Sequence, residues 1–208
     1  MSIIKLNNQA VKNATAFGSI TGLGSMIFIK KLTASSSATL SFVDGSNGVV
    51  LDDTYKEYLF TFKNIHPATN IVSFNFNLST DSGSNYNVTK TSSTFASYHN
   101  EAGNDQALSY GSSQDLAQST GDQKLTVLSS LGNQNDESLS GYLHLFNPSS
   151  DVFVKHFIAT TNFNSESDYQ VNSYIAGYGN TISPINAIRF AMSSGNIDAG
   201  DICLYGIA

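Results

Sequence analysis

The stretch IRFAMSSGNIDAGDICLYGIA, residues 188–208, decides the fold class of this chain. Apolar residues occupy every second position over residues 188–192 and again over residues 202–204, and Gly-Asn at 195–196 and Ala-Gly at 199–200 separate the two runs. This spacing is typical of β-strands with one buried face. It predicts a terminal β-hairpin or two neighbouring strands. Because the chain stops on this pattern, we expect the last strand to complete a sheet.

The same two-residue period recurs from residue 26 onward. It is clearest over residues 71–79, where apolar residues alternate with Ser and Asn, so one face should meet the core and the other water or a neighbouring molecule. The only weak helical pattern covers residues 115–119. About ten strands joined by short turns predict an all-β fold, an antiparallel two-sheet sandwich of jelly-roll type. Besides the C-terminal pair, the predicted strands cover residues 26–32, 38–43, 55–64, 71–79, 86–89, 94–98, 125–131, 139–146, 152–161 and 169–178.

The N-terminal segment differs from the rest of the chain. Its few apolar residues are spread among Asn and Lys, and the run GSITGLG at residues 18–24 is linker-like. We therefore predict an N-terminal anchoring arm, residues 1–24, followed by a β-sandwich domain, residues 25–208. The arm lies either on another subunit or on its own domain.

The composition predicts an uncharged polar surface. Only 12% of the residues are charged, whereas the chain has 31 Ser and 21 Asn; an ordinary soluble domain has roughly 25% charged residues. Hydroxyls and amides suit contacts with proteins or sugars, although a turn-rich β protein also accumulates Ser and Asn. The net charge of −6 and the single Arg argue against nucleic acid as a partner. No apolar run approaches the ~20 residues of a membrane span, so we expect no membrane insertion, and the N-terminus lacks the pattern of a signal peptide.

The region between residues 81 and 122 is the predicted binding or contact region. Its pattern weakens into Ser, Asn, Gly and Gln, and a long structureless stretch inside a compact domain is usually functional. Aromatic faces beside amides and carboxylates are suited to sugars. The predicted ligand-binding residues are Tyr98, His99, Tyr110 and Asp115, with Asn100, Asp105 and Gln106 nearby. The alternative is that the tyrosines pack this region onto the sandwich or onto a sister subunit.

No catalytic or metal-binding motif is present, so we expect no enzyme, no metal and no cofactor. His66, His99, His144 and His156 lack metal-like spacing. The acidic turns at 52–53 and 81–83 could offer oxygens to calcium, but turn formation is the more common role of such residues. Cys203, the only cysteine, lies in a strand pattern and is expected to be a buried thiol.

Several short segments of this sequence resemble segments of small virion proteins of tailed phages, with cyanophages as the nearest group. They cover the domain from about residue 25 to the end: LDDTYKEYLF (51–60), NIHPAT (64–69), FNLSTDSG (76–83), LSGYL (139–143), FNP (146–148) and SGNI…LYGI (194–207). Residues 1–24 contain no such segment.

The resemblance implies a structural protein located in the virion, without a catalytic residue. It implies a tail-fibre or related tail-surface subunit that contacts other virion proteins and a host-surface glycan as receptor. By analogy with phage fibres and decoration proteins, a homotrimer is expected, and a monomer or dimer docked on a larger lattice is the alternative. Two alternatives stay open: a capsid-decoration (cement) or adaptor protein, and a carbohydrate-binding module.

Overall fold

The computed structural model describes residues 26–207, and the expected anchoring arm, residues 1–24, lies outside them. The described chain is all-β and forms two packed antiparallel sheets. It contains twelve strands: β1 (Met26–Thr33), β2 (Leu40–Val43), β3 (Glu57–Pro67), β4 (Phe74–Ser79), β5 (Lys90–Asn100), β6 (Gln106–Tyr110), β7 (Gln123–Lys124), β8 (Leu139–Phe146), β9 (Lys155–Asn164), β10 (Tyr169–Gly179), β11 (Ala187–Met192) and β12 (Ile197–Ile207).

The strand order is that of a jelly roll with two inserted hairpins. The large sheet has the order β1-β12-β3-β8-β9-β10-β5-β6 and the small sheet β2-β11-β4-β7. Without β5–β6 and β9–β10, the remaining eight strands form nested antiparallel pairs: β1 with β12, β2 with β11, β3 with β8 and β4 with β7. This nesting across two sheets defines the jelly roll. The predicted fold class is therefore confirmed, and the inserted hairpins extend only the large sheet.

The C-terminal stretch does not form the predicted hairpin. β11 pairs with β2 and β4 in the small sheet, whereas β12 pairs with β1 and β3 in the large sheet. The turn at residues 193–196 therefore carries the chain from one sheet to the other. The predicted connection at 199–200 is instead a bulge inside β12. Gly200 has a φ of +119° there, and a Cβ on this residue would lie only 2.6 Å from the Asn64 carbonyl oxygen.

Phe190 of β11 lies at the centre of the core. Its ring is fully buried, and its centroid lies 5.3–6.5 Å from those of five other phenylalanines. Phe60 and Phe62 belong to the large sheet, so this cluster joins the two layers. The other three rings come from the small sheet: Phe42, Phe74 and Phe76.

The polar face of β4 does not meet water, contrary to the expectation from its alternation. All six residues of β4 are buried. Asn77 donates to Asp122 Oδ1 at 2.7 Å and accepts from the fully buried Lys90 Nζ at 2.6 Å. Arg189 binds the same Asp122 oxygen at 3.0 Å and lies over the ring of Tyr86. The chain's own loops thus cover this face with a hydrogen-bonded charge cluster, as buried charges require.

Other local differences concern the region expected to be irregular. Residues 81–122 contain β5, one of the longest strands, and β6, whereas residues 86–89 are not a strand. Residues 115–119 are not helical but irregular, and they end in an isolated bridge between Ser119 and Lys90. Residues 125–131 are not a strand either, although their alternating apolar residues are buried. They cover the inner face of the inserted hairpins, where the Val127 N–H donates to Ser173 Oγ at 3.0 Å.

Replacing Phe190 with Ala should reduce the free energy of unfolding by about 3–5 kcal/mol, because it empties the centre of the core. Urea unfolding followed by circular dichroism measures the change. The matched control is Phe153→Ala, because Phe153 is 69% exposed, and it should cost less than about 0.5 kcal/mol. Equal losses in the two variants would show that Phe190 is not central to the core.

Lys90 should make stability depend on pH. Burial lowers the pKa of Lys90 from 10.5 to about 8, despite the opposing charge of Asp122. Between these two values the unfolded chain holds a proton that the folded chain has released, so raising the pH favours folding. Lys90→Met should cost about 1–3 kcal/mol at neutral pH, because it removes the buried hydrogen bonds from Lys90 Nζ to the Asn77 side chain and to the Val88 carbonyl. The advantage of the original chain over this variant should then grow between pH 8 and pH 10.

Urea unfolding at several pH values measures this advantage, whose limiting slope is about 1.4 kcal/mol per pH unit. The control variant is Lys63→Met, since Lys63 is exposed; its difference from the original chain should stay nearly constant. A pH-independent difference for Lys90→Met would refute the assignment.

Candidate functional site

The four predicted ligand-binding residues do not form one site. Successive residues of a strand point to opposite faces, so Tyr98 of β5 faces the interior layer and His99 faces outward. The pairing of Phe95 with Tyr110 places Tyr110 on the outer face as well. Asp115 accepts a hydrogen bond from the Tyr110 hydroxyl at 2.8 Å. The predicted set is therefore divided between the two faces of the large sheet.

Tyr98 lines a cleft on the inner side of the inserted hairpins, which we call the Tyr98 cleft. Its volume is about 310 Å³, near the lower end of the ~300–1,000 Å³ typical of ligand pockets. The ring of Tyr169 meets that of Tyr98 in a T-shaped arrangement, with centroids 5.7 Å apart. The cleft is lined by two aromatic rings, one carboxylate, three hydroxyls and two aliphatic side chains: Tyr98, Tyr169, Asp105, Ser109, Ser129, Ser167, Leu128 and Val171.

The carboxylate of the cleft is held by a tyrosine. The Tyr169 hydroxyl donates to Asp105 Oδ2 at 2.9 Å. This hydrogen bond to the carboxylate raises the pKa of Tyr169, since the neutral phenol is the donor. Among residues 26–207, no hydrogen bond reaches Asp105 Oδ1. That oxygen is therefore available to a donor on a ligand.

Leu128 lines the same cleft with an unusual backbone conformation. Its φ is +67°, in the left-handed region, which costs a residue with a Cβ roughly 1–2 kcal/mol. Such conformations persist where the surroundings impose them, and they concentrate at functional sites. Eight other non-glycine residues of the described chain, Ile71 among them, also have a positive φ, so the conformation of Leu128 does not by itself mark the cleft.

A row of aromatic side chains crosses the outer face of the large sheet. It consists of cross-strand partners on five successive strands, and all but one of them are aromatic. In spatial order they are Tyr142, Thr160, Tyr174, Phe95 and Tyr110. We call this row the aromatic ladder. It spans about 19 Å at ~4.8 Å per strand, and the rings of Phe95 and Tyr174 stack with centroids 4.8 Å apart.

The outer face around the ladder holds most of the exposed apolar surface. Of the thirteen large hydrophobic side chains that are exposed within residues 26–207, eight lie on this face according to the strand register: Met26, Phe28, Phe95, Leu108, Tyr110, Tyr142, Ile158 and Tyr174. Six of them lie on the neighbouring strands β8, β9, β10, β5 and β6, and exposed apolar surface concentrated in this way marks sites of protein contact or ligand binding. Cys203 also lies on this face and is half-buried, not the fully buried thiol expected.

The acidic turns have local roles. Asp52 Oδ1 accepts from the Thr54 N–H at 2.8 Å, and Asp81 accepts from the side chains of Ser79 and Asn85 at 2.7 Å each. The bond from Ser79 is the main cause that lowers the pKa of Asp81 to about 2. These are the bonds of capped turns. In the described part of the chain, no three His, Cys, Asp or Glu side chains are grouped to hold a metal ion.

The four histidines also lie apart. His144 Nδ1 bonds Glu57 Oε1 on the outer face, His66 Nε2 lies 3.1 Å from the Gln134 carbonyl, and His156 packs against Tyr178. His99 borders a shallow depression of about 420 Å³.

Over residues 26–207, no helix is long and apolar enough to cross a membrane.

Sequence reasoning missed Tyr169, Leu128 and the ladder. Tyr169 begins a predicted strand, but only the pairing of β10 with β5 brings it beside Tyr98. The two residues are about seventy positions apart in the chain. The ladder likewise depends on the register of five strands. Asp105 was noted as a neighbour of the predicted set, and only its bond to Tyr169 shows its role.

Fold and surfaces together define a jelly-roll sandwich with one polar-aromatic cleft and one exposed aromatic sheet face. No protein-family model, curated protein or solved structure was found to match this chain. Its function must therefore be inferred from these two surfaces.

Proposed function

We propose that this chain is a structural subunit of a phage particle, a tail-fibre or related tail-surface protein, that assembles through the outer face of its large sheet. The exposed aromatic ladder is the observation that carries this proposal. Jelly rolls are common in viral capsid and lectin domains. The sequence segments that resemble phage virion proteins lie within the β-sandwich domain of this chain. The proposal includes no enzymatic activity.

The outer face is large enough for a stable interface. Eight strands at ~4.8 Å spacing span about 34 Å, and the 11-residue strands β3, β5, β10 and β12 are each about 35 Å long. The face thus offers on the order of 1,000 Å², whereas a standard interface buries about 800 Å² on each partner. Tyr, Phe, Met and Leu on this face are suited to an interface, because aromatic residues and Met are enriched there.

The occupant of this face is a second copy of the same chain. Virion surface proteins repeat by symmetry, and the contacts of a cyclic trimer are head-to-tail, so the outer face of one subunit packs against a different surface of the next. A homotrimer is the proposed state. A capsid-decoration or adaptor protein would use the same face, but against a different virion protein.

Disrupting the ladder should dissociate the oligomer. Light scattering after gel filtration at micromolar concentration should give three times the chain mass of 22.3 kDa for the original protein. Tyr174→Ser combined with Phe95→Ser should shift the mass toward that of one chain, because it removes the stacked pair from the interface. Circular dichroism confirms that the variant is folded.

The matched control combines Val152→Ser with Phe153→Ser. These side chains are 64% and 69% exposed but lie in the loop before β9, outside the ladder. This control should keep the oligomer. A monomeric original protein, or equal dissociation of both double variants, would contradict assembly through the ladder.

The location in the particle can be tested directly. Antibodies raised against residues 26–207 should label the tail of intact particles of the phage that encodes the chain, as seen by electron microscopy. Labelling of the head would contradict the tail placement and support the decoration alternative. Particles that carry no label and contain none of the chain by mass spectrometry would refute a virion role.

A further inference from the structure

We propose that the Tyr98 cleft binds a single neutral sugar residue, such as the terminal pyranose of a glycan. This inference goes beyond the proposed assembly function and is independent of it, because the cleft and the aromatic ladder lie on opposite faces of the large sheet. A chain could bind sugar as a monomer or assemble without binding sugar.

The lining of the cleft matches the two kinds of surface that a pyranose presents. A sugar ring has apolar C–H faces and a rim of hydroxyls. Aromatic side chains combine a large apolar face with a polar group, and the T-shaped contact between Tyr98 and Tyr169 leaves at least one face of each ring free of the other. Leu128 and Val171 add apolar surface, while Ser109, Ser129 and Ser167 offer hydroxyls that can both donate and accept.

Asp105 determines the charge of the ligand. Its Oδ2 is held by Tyr169, and its Oδ1 points to no hydrogen-bond donor within the described chain. A carboxylate accepts strong hydrogen bonds from hydroxyl groups, but it repels phosphates, sulfates and uronic acids. The net charge of −6 acts in the same direction. These charges disfavour an anionic ligand, and the serine hydroxyls beside the free carboxylate oxygen suit a neutral polyhydroxy compound.

The size and rigidity of the cleft favour one sugar residue. A volume of about 310 Å³ is too small for an extended oligosaccharide. Tyr98 and Tyr169 lie on paired strands of the large sheet, where Tyr98 is the partner of Val171. The site is thus largely preformed, which lowers the entropic cost of binding.

The probes for this site are methyl glycosides of glucose, galactose and mannose, together with N-acetylglucosamine, and glucuronic acid serves as the anionic comparison. Saturation-transfer difference NMR on the full chain detects binding in the millimolar range. At least one neutral sugar should receive saturation, and glucuronic acid should not. Asp105→Asn should weaken the binding about 10-fold or more, because a charge-assisted hydrogen bond is lost. Tyr98→Ala should abolish it.

The outer face supplies a matched control. Tyr110 and Asp115 form the same hydroxyl-to-carboxylate pair at 2.8 Å, outside the cleft, so Asp115→Asn should leave sugar binding unchanged. Asp105→Asn keeps an oxygen acceptor for Tyr169 and should preserve the fold, which circular dichroism checks. The proposal is overturned if no neutral sugar in the panel binds, if glucuronic acid binds as well as the neutral sugars, or if Asp115→Asn weakens binding as much as Asp105→Asn.

Discussion

The packing of the two sheets around Phe190 is the contact on which the rest of the structure depends. Its ring touches phenylalanines of both layers, so it sets the distance and the relative position of the sheets. The nested strand order of a jelly roll requires the chain to cross between layers repeatedly, and each crossing is stable only if both layers bury the same core. With one Arg, nine Lys and no possible intrachain disulfide, the domain relies on apolar burial instead of surface ion pairs.

The small sheet is narrower than the large one, and this difference creates both surfaces. Four strands of the large sheet, β9, β10, β5 and β6, extend past the jelly-roll strands. Irregular chain over residues 125–131 covers part of their inner side, and the Tyr98 cleft lies where Leu128 and Ser129 meet β5 and β10. The outer side of the same strands has no covering layer within the described residues, and there the ladder is exposed.

Much of the fold could be predicted from sequence, because alternation is a local property. β8 has the predicted limits, and the period of residues 188–192 and 202–204 correctly indicates two strands. Which sheet each strand joins is not local, so the expected hairpin was wrong. The face of β4 was also misjudged, since the cover of Asn77 comes from Lys90 and Asp122, which are distant in sequence. For the same reason Tyr98 and Asp105 were noted, whereas their partner Tyr169 was not.

The register of β5 separates the cleft from the ladder. Tyr98 and Phe95 are three residues apart and therefore lie on opposite faces of the same strand. A slip of one residue between β5 and β10 would exchange these faces, and it would bury Phe95 while exposing Ala96, which now lies fully inside. The buried side chains Thr94 and Ala96 oppose such a slip on one face, and the stacking of Phe95 on Tyr174 opposes it on the other. A single strand pairing thus holds the Tyr98 cleft and the aromatic ladder back to back, so each can be altered without rebuilding the other.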